Sequence, residues 1–275
     1  MNFRMQLSLA ALCAAVCCAP LLAEDAPARD YNRFDLRVGG GWVFGADTEV
    51  TVVGSRGVGA AIDFDKTLGG DADDSMLRVD AAWHWNKKHG LAFSWYDVKR
   101  TGSRYLDQDL QIGDKTFEAG AGVNSEINMG IYKLMYQYGV ARTDQIDLDL
   151  GAGIYTANIK GAFSAFASAG STTVGTAQDA ILTAPLPVVG MLVNTKLTPK
   201  LNLLISADYF YFKVNGWQGA IADLQTGLEY NFTRNWGLGA AYDRFQMNVE
   251  GPVDPGSFAV RNGWNTLYGY LAFHW

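Results

Sequence analysis

The sequence predicts a closed antiparallel up-and-down β-barrel that spans a membrane, all-β, with about ten strands (a range of eight to twelve). Its turns are expected to be short and periplasmic, its loops longer and extracellular. Three observations carry the prediction. Apolar and polar residues alternate with period two along most of the chain after residue 32. The alternating segments run ~10–16 residues, against ~5–6 for an average soluble strand. Short polar connections alternate with longer ones, as barrel turns and outer loops do. Composition agrees: charged residues are 18% and there are 31 glycines in 275 residues, whereas a soluble domain carries ~25% charge.

Residues 1–23 read as a secretory leader, with Arg4 as its positive end and Leu7 to Val16 as its apolar run. That run is shorter than the ~20 residues a spanning helix needs. Cys13, Cys17 and Cys18 all lie in the leader. A lipid-attachment cysteine wants a small residue before it, and Leu12, Val16 and Cys17 precede these three, so lipidation is not expected. Without the leader the chain has no cysteine for a disulfide or thiolate site. It then carries 21 basic against 28 acidic residues, which argues against a nucleic-acid partner. Residues 24–32 form a short periplasmic tail, and residues 33–275 the barrel.

The strands are expected at 33–45, 75–86, 90–105, 121–138, 145–160, 185–197, 201–214, 218–232, 236–249 and 262–275. In the second, Leu77, Val79, Ala81, Trp83 and Trp85 share one face and Arg78, Asp80, Ala82 and His84 the other. The first loop could fold a hairpin from 48–53 and 60–64, and is read as a strand extension beyond the bilayer. Short turns fall at 86–89, 141–144, 198–200 and 233–235. Longer connections fall near 46–74, 106–120, 162–184, 215–218 and 250–262. Beside the turns collect Trp83, Trp85, Tyr136, Tyr138, Phe232, Trp236, Phe273 and Trp275. A second set, Trp95, Tyr209, Tyr211 and Tyr242, sits about half a strand higher. Two such sets fit two interfacial aromatic girdles.

The last nine residues, Leu267 to Trp275, alternate and end on an aromatic. With Tyr268, Tyr270, Leu271, Phe273 and Trp275 they resemble the C-terminal assembly signal of Gram-negative outer-membrane proteins, which implies the barrel-assembly machinery as a partner during biogenesis. Ile62 to Gly69, Arg78-Val79-Asp80 and Tyr96 to Arg104 are similar to a group of uncharacterised proteobacterial barrels, a resemblance that implies no activity. Outer-membrane lipid and lipopolysaccharide are the expected surroundings, and a monomer is expected.

A charge facing lipid at the midplane costs ~2–4 kcal/mol for Arg or Lys. So Arg78, Asp80, His84, Lys133, Asp147, Asp149, Lys196, Asp208, Asp223, Glu229 and Asp243 are expected to face the lumen as a charge network. Around ten strands leave little bore, since ~8 are just filled by side chains and ~16 leave a channel. The reading is a narrow, charge-lined, filled lumen with a structural or envelope-associated role. The alternatives are a narrow channel for small polar or cationic solutes and an outer-leaflet lipid-modifying enzyme or omptin-like protease. A catalytic role is not expected: His84, His89 and His274 all fall at the turn end, and no Gly-x-Ser-x-Gly elbow occurs. No cofactor is expected. Asp63, Asp65, Asp71, Asp73 and Asp74 are weak calcium candidates in a loop read as solvated, without EF-hand spacing. Residues 162–184, rich in Ala, Ser, Gly and Thr, read as a surface loop able to fold back over the mouth. Gly57-Val58-Gly59 and Gly237-Leu238-Gly239 lack the third glycine of a dinucleotide fingerprint.

Overall fold

The computed structural model describes residues 33–54, 59–63, 74–105, 110–112, 115–117, 119–120, 122–166, 174–176, 182–253 and 256–275. The leader, the tail 24–32 and most of the first loop lie outside the described residues. Among those described, the strands are β1 (Phe34–Gly54), β2 (Gly59–Asp63), β3 (Ser75–His84), β4 (His89–Tyr105), β5 (Leu110–Ile112), β6 (Lys115–Phe117), β7 (Gly122–Arg142), β8 (Ile146–Phe166), β9 (Val174–Thr176), β10 (Leu182–Lys196), β11 (Leu201–Val214), β12 (Trp217–Asn231), β13 (Trp236–Val253) and β14 (Gly256–His274). Ten of them close one antiparallel barrel: β1, β3, β4, β7, β8 and β10 to β14. The ring shuts where β1 pairs with β14, from Asp35 opposite His274 to Gly54 opposite Gly256. β2 folds back on the end of β1, so the first connection is both strand extension and hairpin. β5 and β6 form a small hairpin of their own.

Each short turn is built by one side chain. Asn86 Oδ1 accepts from Lys88 N and His89 N at 2.8 and 2.9 Å. The Oγ1 atoms of Thr143, Thr198 and Thr233 accept from the backbone N–H three residues on, at 2.9, 3.0 and 2.9 Å. Such Asx- and ST-type bonds replace the ladder bond that the turn breaks. At the other end β11 and β12 meet in two residues, Asn215 at φ 51 and Gly216 at φ 82. Both lie in the left-handed region that a tight hairpin turn of Asn-Gly type requires. This connection is therefore a turn, not the longer loop expected at 215–218. The turn expected at 141–144 moves to 143–145, because Arg142 stays in β7 opposite Asp147.

The outer wall carries an apolar belt at one level. On β13 the outward residues run Trp236, Leu238, Ala240 and Tyr242, then Arg244, Gln246, Asn248 and Glu250. On β7 they run from Tyr138 through Tyr136 and Leu134 to Tyr132, then to Asn128, Glu126 and Asn124. On β4, Leu91, Phe93 and Trp95 give way to Asp97, Lys99 and Thr101. The apolar belt thus sits next to the short turns and stops partway up every one of these strands. A span needs ~9–11 residues, so strands of 21 residues such as β7 and β8 rise well past the belt. Among the described residues no helix is long and apolar enough to cross a membrane.

Candidate functional site: the barrel lumen

Period two sends alternate side chains inward, and the inward set stacks in layers. At the turn end, Arg37 Nε donates to Glu229 Oε2 at 2.8 Å. Glu229 is fully buried. His274 Nδ1 lies 2.6 Å from Asp35 Oδ1. Its Nε2 is 3.0 Å from Glu229 Oε1, a close approach without hydrogen-bond geometry. Arg142 grips Asp149 through both guanidinium nitrogens.

Arg78 holds the middle layer. Its Nε donates to Asp80 Oδ2 at 2.8 Å, its Nη1 to Asp243 Oδ2 at 2.5 Å and its Nη2 to Gln225 Oε1 at 3.3 Å. The guanidinium also lies 5.0 and 5.6 Å from the ring centres of Tyr96 and Tyr268, a cation–π arrangement. Gln225 in turn bonds the Tyr268 hydroxyl. Across the bore, Lys133 Nζ meets Asp208 Oδ2 at 2.5 Å. Asp208 stands directly opposite Asp223 on the next strand, a like-charge pair that opposes folding by itself. Lys133 offsets it on one side. On the other, the hydroxyls of Tyr96 and Tyr155 donate to Asp223 Oδ2 at 3.3 and 3.4 Å.

An aromatic layer lies above. Phe245 stacks on Trp264 with centroids 4.2 Å apart and on Tyr155 at 5.9 Å, and Tyr155 meets Tyr96 edge-on at 6.4 Å. Over it a last polar layer joins Arg100 Nε to Asp74 Oδ2 at 2.8 Å, Arg100 Nη1 to Thr48 Oγ1 at 2.6 Å, and Thr48 Oγ1 to Asn262 Oδ1 at 2.8 Å. Two hollows remain. One of about 90 Å³ lies between the lower layers, beside Arg37, Lys133, Gln137, Asp149 and Asp208. A cup of about 440 Å³ opens at the turn end, lined in part by Lys196, Lys200, Asn202, Glu229, Arg234 and His274.

The structure points all eleven lumen candidates inward. It brings Arg78, Asp80 and Asp243 into contact, and Lys133 with Asp208, while Asp223 is held by tyrosines. Asp149 is paired with Arg142 and Glu229 with Arg37. Asp147 sits opposite Asn194 and Lys196 lines the cup. His84 is buried but its Nε2 has no partner, so the paired lumen histidine is His274. His89 faces outward against Trp85 and Tyr136. The girdle residues Trp83, Trp85, Trp95, Tyr136, Tyr138, Tyr209, Tyr211, Phe232, Trp236, Phe273 and Trp275 are on the outer face. Of the terminal signal, Leu271, Phe273 and Trp275 face out, but Tyr268 and Tyr270 are buried in the lumen.

Asp74 corrects an expectation. It is not a solvated loop carboxylate but a buried partner of Arg100, also accepting from Thr101 N at 3.1 Å. Asp63 closes β2, and Asp65, Asp71 and Asp73 lie outside the described residues. Among the described residues no cluster of three or more His, Cys, Asp or Glu could hold a metal. The loop expected at 162–184 begins later than read, because β8 continues to Phe166 and β10 starts at Leu182; of what lies between, only β9 is described. Sequence reasoning missed Arg37, Arg100, Arg142 and His274 as lumen ions. Parity alone would have found Arg100, which shares its face with Ser94 and Tyr96.

No family model and no curated protein matches the sequence. Solved structures do. The outer membrane protease OmpT from Escherichia coli is similar at TM-score 0.54 and 10% identity, over 92% of this chain and 99% of that one. The outer membrane protein OprG from Pseudomonas aeruginosa gives TM-score 0.37 at 10% identity, over 89% and 97%. The toluene transporter TodX from P. putida gives 0.31 at 10% identity, over 90% and 91%. At such identities the likeness to OmpT is one of fold: this chain is a closed barrel of the outer-membrane type.

Proposed function

We propose that this is an integral outer-membrane protein with a sealed lumen, serving the envelope as a structural, non-conducting barrel rather than as a pore. The short turns face the periplasm and the long connections the exterior. The outer-membrane lipid, lipopolysaccharide included, is its partner along the apolar belt, and the barrel-assembly machinery inserts it. One observation carries the reading: Tyr96, Tyr155, Phe245 and Trp264, each at most 2% exposed, stack across the bore above the Arg78 layer. Purified, folded protein in a planar bilayer is expected to pass no steady current at driving potentials below membrane breakdown. A stable ohmic conductance would overturn the reading.

A second reading has its own support. The middle layer sets Asp80, Asp208, Asp223 and Asp243 against Arg78 and Lys133, an acidic excess that would favour cations in a narrow path. On that reading a cation-selective current appears and falls when Asp147→Asn and Asp149→Asn are combined.

A further inference from the structure

We infer that the upper seam between β10 and β11 is a lateral site that takes the end of an acyl chain from an outer-leaflet lipid. The inference rests on the reading of this chain as an outer-membrane barrel whose long connections face the exterior, and it adds a bound lipid chain to that wall.

The seam is interrupted where both of its strands continue. β10 pairs with β11 from Lys196 opposite Asn202 up to Val189 opposite Tyr209, and there the ladder ends. Beyond that point β10 stays paired with β8 as far as Leu182 opposite Ile159. β11 stays paired with β12 as far as Val214 opposite Trp217. The cause is in the sequence: Pro185 and Pro187 have no N–H to give. The β8 ladder passes both without a shift of register, so their nitrogens lie on the β11 side. The residues of a strand bond alternately to its two neighbours. The donors missing at 185 and 187 are therefore the next two that would carry the ladder upward from Val189. Proline in a sheet belongs at such an open edge.

The interruption falls at the upper limit of the apolar belt. Tyr209 and Tyr211 are exposed on the outer face, and exposed Lys213 follows them. Aromatic rings and then a cation mark the passage from hydrocarbon to headgroups. Free backbone groups are tolerated at that level, where water reaches them, and not in the hydrocarbon below.

Behind the seam the wall is apolar. Leu186 and Val188 face inward from β10, and Phe210 and Phe212 from β11, their rings stacked at 6.0 Å. Val188 is buried in the apolar cluster on which Leu186 and Phe210 pack. Phe210, Ile221 and Met247 lie in one row across β11, β12 and β13, and methionine is an unbranched, adaptable filler. Leu186 stands opposite Tyr155, so the seam leads onto the upper face of the ring layer and not through it. An acyl chain suits this place: it is present at this level and needs no hydrogen bond. An added peptide strand does not suit it, because β10 offers no donor at 185 or 187.

The test uses a phospholipid carrying a diazirine at the end of one acyl chain, mixed into phosphatidylcholine vesicles that hold the full-length barrel. After irradiation, mass spectrometry of the digested protein identifies the labelled residues. Labels are expected on outward Tyr209 and on inward Val188, Leu186 or Phe210. Inward Val98 and Ile131, behind the continuous β4–β7 ladder, stay unlabelled. Pro185→Val with Pro187→Thr restores both donors. Slow amide exchange at 185 and 187 reports that the seam has zipped, and inward labelling is then lost while Tyr209 keeps its label. Labels confined to outward residues, equal labelling of Val98, or undiminished inward labelling in the zipped variant each overturns the inference. Should the variant not fold or not zip, the labelling pattern of the parent decides alone. A barrel that inserts, as heat-modifiable gel migration shows, and labels only on its outer face keeps the membrane reading; failure to insert into vesicles is the failure of that reading.

Discussion

At the scale of single residues, the lumen depends on charges that cannot be removed one at a time. Arg78 is buried against Asp80 and Asp243, and Lys133 against Asp208. Breaking such a pair strands a desolvated charge at a cost of about 3–5 kcal/mol, whereas replacing both partners by well-packed apolar groups is often neutral. Lys133→Met is therefore expected to lower unfolding stability by about that amount, read as the urea midpoint of tryptophan fluorescence in micelles. Lys133→Met with Asp208→Leu should recover most of the loss. Equal stability of Lys133→Met and the parent would show that the pair is not buried as described. These ions were legible in sequence because charged residues shared parity opposite long apolar faces, as Arg78 and Asp80 do against Val79 and Ala81. Their partners were not legible. Arg78 meets Asp243 from 165 residues away, a pairing set by ring closure and not by spacing.

At the scale of elements, the barrel wall is a seam between strands of opposite solvent. Leu134 projects outward from β7, within the apolar belt. Leu134→Arg is expected to destabilise by about 2–4 kcal/mol if it lies near the midplane, while Asn128→Arg, above the belt on the same face, should cost little. Similar effects at both positions would contradict the placement of the belt. The seam between β1 and β14 is equally specific. Gly41 faces Tyr268, and a Cβ there would come within 2.5 Å of the Tyr268 backbone. Gly41→Val should block closure, seen as loss of the compact, heat-modifiable species on gels. Turns were the most legible elements, because Asn86, Thr143, Thr198 and Thr233 do local chemistry that sequence displays. The far strand ends were not. Once β13 passes Tyr242 and β14 rises above Leu267, the outer face turns polar, the period-two contrast disappears, and pairing alone keeps Val249 opposite Val260.

At the scale of the whole molecule, ten strands enclose layers of ion pairs below and rings above, and the two together decide between wall and pore. If the ring layer seals the bore, Phe245→Ala with Trp264→Ala should create conductance in planar bilayers where the parent has none. The architecture itself was readable from rhythm, since alternation and turn spacing are local properties of the sequence. The seal was not, because Tyr96, Tyr155, Phe245 and Trp264 come from four strands and look, one by one, like any inward aromatic.

Lipid outside the wall and no open bore within it are the central claims about the molecule, and thiol accessibility reads both directly. The chain's three cysteines are at positions 13, 17 and 18, so a barrel refolded from residues 24–275 is a cysteine-free background. In lipid vesicles Leu134→Cys and Leu228→Cys are expected to resist a charged, water-soluble thiosulfonate and to react with it once the barrel is unfolded, while Thr266→Cys, inside the ring and ion layers, resists it in the folded barrel. Rapid modification of Thr266→Cys by the charged reagent would mean an open bore, and its ready reaction at Leu134→Cys would mean that water, not hydrocarbon, bathes the outer wall.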